Sequence, residues 1–327
     1  MSVDVLCLRP EADFVRAEAL PPPELQIAYR ALDDRDVPAL MKQVRALVIP
    51  AVGPKLPLPL FEETSVTFVQ ITGAGVDRLD LAKLNSLGIT VANVPRGSNT
   101  AVAEYAVTTA SVLLRRFAWA DAEIRAGNYR DFRARMVADN VAGLEGLTVG
   151  VVGFGVIGIA VADAFHHRGC RILYYDPAPR DAKAAEAVSA ELVTLDELLR
   201  DSNVVTLHVP LLPATAGLIG RRELGLIKPG SVLIQVSRGG IVDEEALAAS
   251  LQSGHLGGAA IDVYSSEPLA ADNPLLALRG EAAHRVLFTP HIAGVTRQAT
   301  TFLCRAAWRN IERVLVKHEP PQDAVTP

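Results

Sequence analysis

The chain has 327 residues, half of them hydrophobic and 21% charged, which suits sizeable cores in roughly two domains. Its formal net charge is -5 and it has no long basic run, so nucleic acid is not an expected partner. No apolar stretch reaches the roughly 20 residues of a membrane span. The start, Met1-Ser2-Val3-Asp4, lacks a basic signal-peptide region, so neither membrane insertion nor export is expected. Cys7, Cys170 and Cys304 lie far apart. They fit neither a disulfide framework nor a zinc site, so no metal is expected, and they suit a reducing cytoplasm.

In chain order, Val3 to Leu8, Ala46 to Ile49, Thr67 to Ile71 and Thr90 to Asn93 read as buried parallel strands. Pro50, Pro54, Pro57 and Pro59 predict an extended loop after the second strand. Loops at strand C-termini line the ligand crevice of an open α/β sheet. Asn99 to Arg116 predicts a helix that is apolar on most sides. Arg125 to Asn140 is Arg-rich and shows no clear period.

A second series starts at Thr148, with strands expected at 148–153, 171–175, 203–208, 231–236, 258–263 and 286–289. Helices are expected between most of them, as from Ile157 to His167 and Glu244 to Ser253. Alternating elements of this length predict a doubly wound parallel sheet. A last amphipathic helix is expected from about Thr296 to Lys317.

Gly153-Phe154-Gly155-Val156-Ile157-Gly158 follows the apolar run from Val149 to Val152 and opens a helix. Small residues let the backbone approach a pyrophosphate, and the helix N-terminus adds amide donors and a favourable dipole. A next strand, Arg171 to Tyr175, ends in Asp176, where a carboxylate would meet the adenine ribose hydroxyls. No Arg follows directly to accept a 2′-phosphate, Arg180 being the nearest, so NAD is favoured over NADP.

His291 stands between Pro290 and Ile292. Taken alone it reads equally as a cap on a neighbouring carbonyl. A carboxylate such as Glu267 on one ring nitrogen fixes the tautomer, leaving the other to exchange a proton with a substrate oxygen. Glu267 alone also reads as an exposed residue before a turn proline. Arg238, before Gly239-Gly240, suits bidentate binding of a carboxylate, or a surface salt bridge. His208, in Leu207-His208-Val209-Pro210-Leu211, is either structural or lines a cofactor site. His166 and His167 look like the solvated end of a helix.

In order, Gly73-Ala74-Gly75-Val76-Asp77, Val102-Ala103-Glu104, the glycine turn, the His208 segment, Arg238-Gly239-Gly240, Asp262 to Pro268 and Pro290-His291 resemble the D-2-hydroxyacid dehydrogenase family over nearly the whole chain. The resemblance implies an α/β fold of two Rossmann-like doubly wound domains with a cleft between them. A flavodoxin-like substrate domain would comprise 1–98 and 295–327, and an NAD-binding domain 99–294. It implies an NAD-dependent oxidoreductase that interconverts a 2-keto acid and an (R)-2-hydroxy acid, with Arg238 on the substrate, His291 as acid/base and Glu267 tuning it. The amides of Ala74, Gly75 and Val76 would bind the carboxylate. The cofactor would touch the glycine turn from Gly153 to Gly158, Asp176, His208, Val209, Pro210, Thr215, Val236, Ser237, Arg238, Asp262, His291 and Gly294. Asp262 would meet the nicotinamide carboxamide. A homodimer is implied, with 99–116 and 125–140 as interface candidates.

Gln235 stands where the family usually has Asn, which implies rearranged hydrogen bonds in the Arg238 loop. Glu267 rather than Gln argues against the formate-oxidising branch. Two alternatives stay open. One is a dehydrogenase of phosphonates or phosphorylated acids, for which Lys55, Arg78 and Arg96 are possible anion ligands. The other is a non-enzymatic, NAD-sensing corepressor-like protein.

Overall fold

The computed structural model describes residues 3–178 and 180–326. The chain divides into two units, Met1–Ser98 with Val295–Pro327, and Asn99–Gly294.

Unit 1 starts with β1 (Val5–Cys7), α1 (Glu11–Arg16), β2 (Ile27–Tyr29), α2 (Val37–Met41) and β3 (Ala46–Ile49). It continues with β4 (Phe68–Ile71), α3 (Leu81–Ser86) and β5 (Thr90–Ala92). Strands β5-β4-β3-β1-β2 pair in parallel, the flavodoxin-like order. The period of two sends Leu6, Leu47, Ile49, Val69 and Val91 to one face. Val5, Cys7, Ala46, Val48, Phe68 and Ala92 go to the other, together with Phe14, Trp308 and Ile311.

Unit 2 begins with α4 (Asn99–Leu114), α5 (Phe117–Arg125) and α6 (Tyr129–Ala138). Then come β6 (Thr148–Val152), α7 (Val156–His166), β7 (Arg171–Tyr175), α8 (Ala182–Ala187), β8 (Glu191–Leu192) and α9 (Leu195–Asp201). The unit closes with β9 (Val204–Leu207), α10 (Arg221–Leu226), β10 (Val232–Gln235), α11 (Glu244–Ser253), β11 (Gly258–Ile261) and β12 (Val286–Phe288). The sheet runs β12-β11-β10-β9-β6-β7-β8, with every pair parallel. The reversal between β6 and β9 is the switch point of a Rossmann sheet, where ligands bind outside the strand C-termini. Helix α4 buries Val102, Ala106, Ala110 and Leu113 in the same core as Val161 and Phe165 of α7.

The chain then returns to unit 1 through α12 (Arg297–Leu315) and β13 (Ala324–Val325), which pairs antiparallel with β5. Buried Asn310 of α12 makes three hydrogen bonds. Its Nδ2 donates to Gln70 Oε1 at 2.8 Å and to the Gln322 carbonyl at 2.9 Å, and its Oδ1 accepts from the Gln322 amide at 2.8 Å.

Three segments differ from the sequence expectation. Residues 125–140, which lack an apolar period, end α5 and form α6, where only Phe132 of α6 is buried. Beyond the elements expected, β2 is a short strand with only Ala28 buried. The proline-rich loop closes in a 3-10 turn at Leu58–Phe61, anchored by buried Phe61.

Candidate active site

The glycine turn leaves β6 and enters α7. Gly153 has φ +93°, and a side chain on it would meet the His208 carbonyl carbon and oxygen at 2.8 Å. A side chain on Gly158 would collide with the Gly153 carbonyl oxygen. Gly155 borders open space, and no side chain caps the first turn of α7. Uncapped amides beside an open backbone turn fit the pyrophosphate of a dinucleotide.

Asp176 ends β7 with its side chain 2% exposed. It accepts from the Phe154 amide at 2.8 Å and the Ala178 amide at 3.0 Å. Arg180, four residues on, pairs with it at 2.7 Å. Burial raises the carboxyl's pKa, but Arg180 and the two amides outweigh burial and hold it below the ordinary value. Asp176 therefore anchors the glycine turn, at the strand end where the sequence predicts a ribose ligand.

The His291 ring lies 2.8 Å from Glu267, Nδ1 to Oε2. The other Glu267 oxygen accepts from the Tyr264 amide at 3.1 Å. His291 has φ +56°, in the left-handed region. A non-glycine residue persists there only when its surroundings over-determine it. Asp262, 1% exposed, supplies that constraint. One of its oxygens accepts from Thr289 Oγ1 at 2.5 Å and the Ile292 amide at 2.8 Å, and the other accepts from the Ala293 amide at 2.8 Å. Its acceptor sites thus serve the histidine loop, whereas the sequence points to the nicotinamide carboxamide. Tyr105 of α4 stands 2.7 Å from Thr289. Thr289 gives its only hydroxyl proton to Asp262, so Tyr105 donates. Burial pushes the Tyr105 phenol up to about 12, which keeps it protonated.

Arg238 follows β10 in a loop braced by Gln235. The Gln235 Nε2 donates to the Arg238 carbonyl at 2.8 Å, while its Oε1 accepts from Ser237 Oγ at 2.7 Å and the Ser237 amide at 3.3 Å. Gln235 thus satisfies the loop where Asn is usual. The Arg238 guanidinium turns back to the Ser237 carbonyl at 2.7 Å. Gly239 packs so tightly on the Tyr264 carbonyl that any side chain would overlap it. Glu244 holds the neighbouring segment, accepting from the Ser265 amide at 2.7 Å, Ser265 Oγ at 2.8 Å and Asn273 Nδ2 at 2.6 Å. The Arg238 and Glu267 segments are therefore locked together in unit 2.

His208 bonds Thr206 Oγ1 at 2.8 Å, and burial pushes its pKa down to about 3. Its ring is neutral. Thr215 fastens its own loop, donating to the Pro210 carbonyl at 2.5 Å and accepting from the Leu212 amide at 2.8 Å. Val209 is buried, Pro210 is exposed, and Val236 and Gly294 are half-buried.

In unit 1, the loop holding Ala74, Gly75 and Val76 follows β4. The Ala74 carbonyl accepts from Asn93 Nδ2 at 2.7 Å, and the Gly73 carbonyl accepts from the Val94 amide at 2.9 Å. Sequence reading assigned no role to Tyr105, Thr289 or Glu244. They are ordinary residues whose partners lie 21 to 184 positions away. Among the described residues no helix is long and apolar enough to cross a membrane.

Residues 107–293 match the family model of the D-isomer specific 2-hydroxyacid dehydrogenase, NAD binding domain. The chain is 38% identical to the (S)-sulfolactate dehydrogenase of Chromohalobacter salexigens, over 74% of this chain and 74% of that protein. It is 37% identical to the D-3-phosphoglycerate dehydrogenase of Archaeoglobus fulgidus, over 69% of this chain and 41% of that protein. It spans half the length or less of the phosphoglycerate dehydrogenases it matches. The holo D-mandelate dehydrogenase of Rhodotorula graminis has a similar fold, with a TM-score of 0.83 at 25% identity, covering 100% of this chain and 99% of that one. The chain belongs to the D-isomer specific 2-hydroxyacid dehydrogenase family, and its NAD binding domain is in unit 2.

Proposed function

We propose that the protein reversibly reduces a 2-keto acid to an (R)-2-hydroxy acid with NADH. The observation that carries this reading is the 2.8 Å Glu267–His291 pair, in the same unit as the glycine turn and Asp176. NAD, when bound, supplies or takes the hydride. Asp176 and the amides at the start of α7 hold the dinucleotide. Glu267 fixes His291 with Nδ1 toward the carboxylate, so Nε2 is the atom that gives a proton to the substrate oxygen in reduction and takes it back in oxidation. Arg238 binds the 2-carboxylate and offsets charge growing on the adjacent oxygen. Unit 1 is the substrate domain in this reading, and the Ala74, Gly75 and Val76 amides are its carboxylate ligands.

NADH oxidation over a panel of 2-keto acids tests the reaction. His291→Ala is expected to lower turnover by about 10²- to 10⁴-fold while NADH binding stays within twofold. Full turnover by that variant on every accepted acid would remove His291 from the role. The reading includes a homodimer through unit 2, where Phe117, Ile124, Tyr129 and Val137 are exposed. A monomeric mass by light scattering would overturn that part.

A further inference from the structure

We propose that Arg78 forms a second anion site in unit 1, so that the preferred acid carries a negative group besides its 2-carboxylate. This rests on the keto-acid reading and narrows its substrate class.

Arg78 is a buried cation. It is 6% exposed, and among the described residues no carboxylate pairs with it. Its Nε donates to the Pro54 carbonyl and its Nη1 to the Pro50 carbonyl, each at 2.8 Å. Neither bond uses Nη2, which has no acceptor among the described residues. Two neutral carbonyls orient a guanidinium but do not neutralise it. An uncompensated buried charge is costly unless something balances it.

Its place in the fold points to a ligand. Residues 50–54 leave the C-terminal end of β3 and the 73–76 loop leaves the C-terminal end of β4, the edge of a doubly wound sheet where ligands bind. The two loops touch. A side chain on Gly73 would stand 2.6 Å from the Ala51 Cβ, and one on Gly53 would stand 3.2 Å from the Arg78 Cζ. Residues 50–54 therefore join the guanidinium to the start of the amide loop. Lys55, exposed and next in the chain, adds positive charge. Exposed Arg96 has no such seat. A planar, pre-oriented fork with an open edge matches a carboxylate, sulfonate or phosphonate group.

The test compares acids that differ in side-group charge: hydroxypyruvate with phosphohydroxypyruvate, and 2-oxobutyrate with 3-sulfopyruvate. The wild type is expected to favour the doubly charged member of each pair. Arg78→Met is expected to lower kcat/KM for the doubly charged acids about 10- to 100-fold, mainly through KM, and for the singly charged acids less than threefold. Arg78→Lys should fall between. Equal losses on both classes, or no preference in the wild type, would reduce Arg78 to a loop clamp and overturn the proposal. Should Arg78→Met fail to fold, competition in the wild type decides: sulfoacetate must inhibit at least about tenfold more tightly than acetate, and equal inhibition refutes the site. If NADH binds but no keto acid turns over, the reductase reading fails by itself. Calorimetric titration of wild type and Arg78→Lys with sulfoacetate and acetate then reads the anion site, and equal affinities refute it.

Discussion

His208 and His291 have the same side chain in opposite surroundings. The His291 ring faces a carboxylate, whereas the half-buried His208 ring sits against a threonine hydroxyl. The folded protein keeps His208 neutral down to about pH 3, while the unfolded chain takes a proton near the ordinary 6.5. Below pH 6.5 the unfolded chain therefore binds more protons, and stability falls by about 1.4 kcal/mol per pH unit until the folded ring titrates. Replacing His208 by Asn should shrink the stability lost between pH 7 and pH 5 by about 2 kcal/mol, read from urea unfolding at both values. Identical acid losses would show that the ring is not held neutral. Arg238, Glu267 and His291 stand out in the sequence because each lies in a short segment of unusual composition. Asp262 stands out too, yet its grip on the Ile292 and Ala293 amides depends on backbone geometry that no spacing encodes.

Among the elements, the Arg238 loop and the segment from Asp262 to Pro268 act as one piece because Gly239 lies flat on the Tyr264 carbonyl. A methyl group there must separate the two strands of backbone. Gly239→Ala is expected to lower kcat/KM about 100-fold, since a displacement near 1 Å suffices for that loss. Steady-state kinetics on an accepted keto acid checks it, and activity within threefold of wild type would mean that the contact is dispensable. Buried strands such as Ala46–Ile49 and Phe68–Ile71 were legible because both faces are covered, which leaves a largely apolar run. Helix α11 was legible from its place between two apolar strands, and the structure adds an Asp243 side chain that caps the Ala246 amide. Helix α6 was not, because it buries Phe132 alone among many polar residues, and β2 was not, because it is short and partly exposed. The fused shape of the proline-rich loop was also hidden, since it depends on Arg78, more than 20 residues downstream.

Across the whole molecule, the last helix belongs to the unit that the first strands begin. Trp308, Ile311 and Leu315 of α12 are buried in the core that includes Val5, Val48 and Phe68, each contributing about 1.5–3 kcal/mol. Asn310 adds polar anchoring, and Asn310→Ala strands the buried Gln70 side chain and frees two part-buried backbone groups of Gln322. That variant should lose about 2–4 kcal/mol of stability in urea while its NADH dissociation constant changes less than twofold. A large change in NADH affinity would contradict the separate roles of the two units.

The placement of α12 also governs how the chain matures at the ribosome. The strands of residues 5–92 emerge early, but the helix that covers one face of their sheet follows about 200 residues later. At about 5–20 residues per second the delay is roughly 10–40 s. Throughout it, Val5, Cys7, Val48 and Phe68 lack their cover, and unit 2 must emerge in between. A half-finished sheet with an open apolar face is prone to aggregation, so the order of segments along this chain sets how long that face stays uncovered during synthesis.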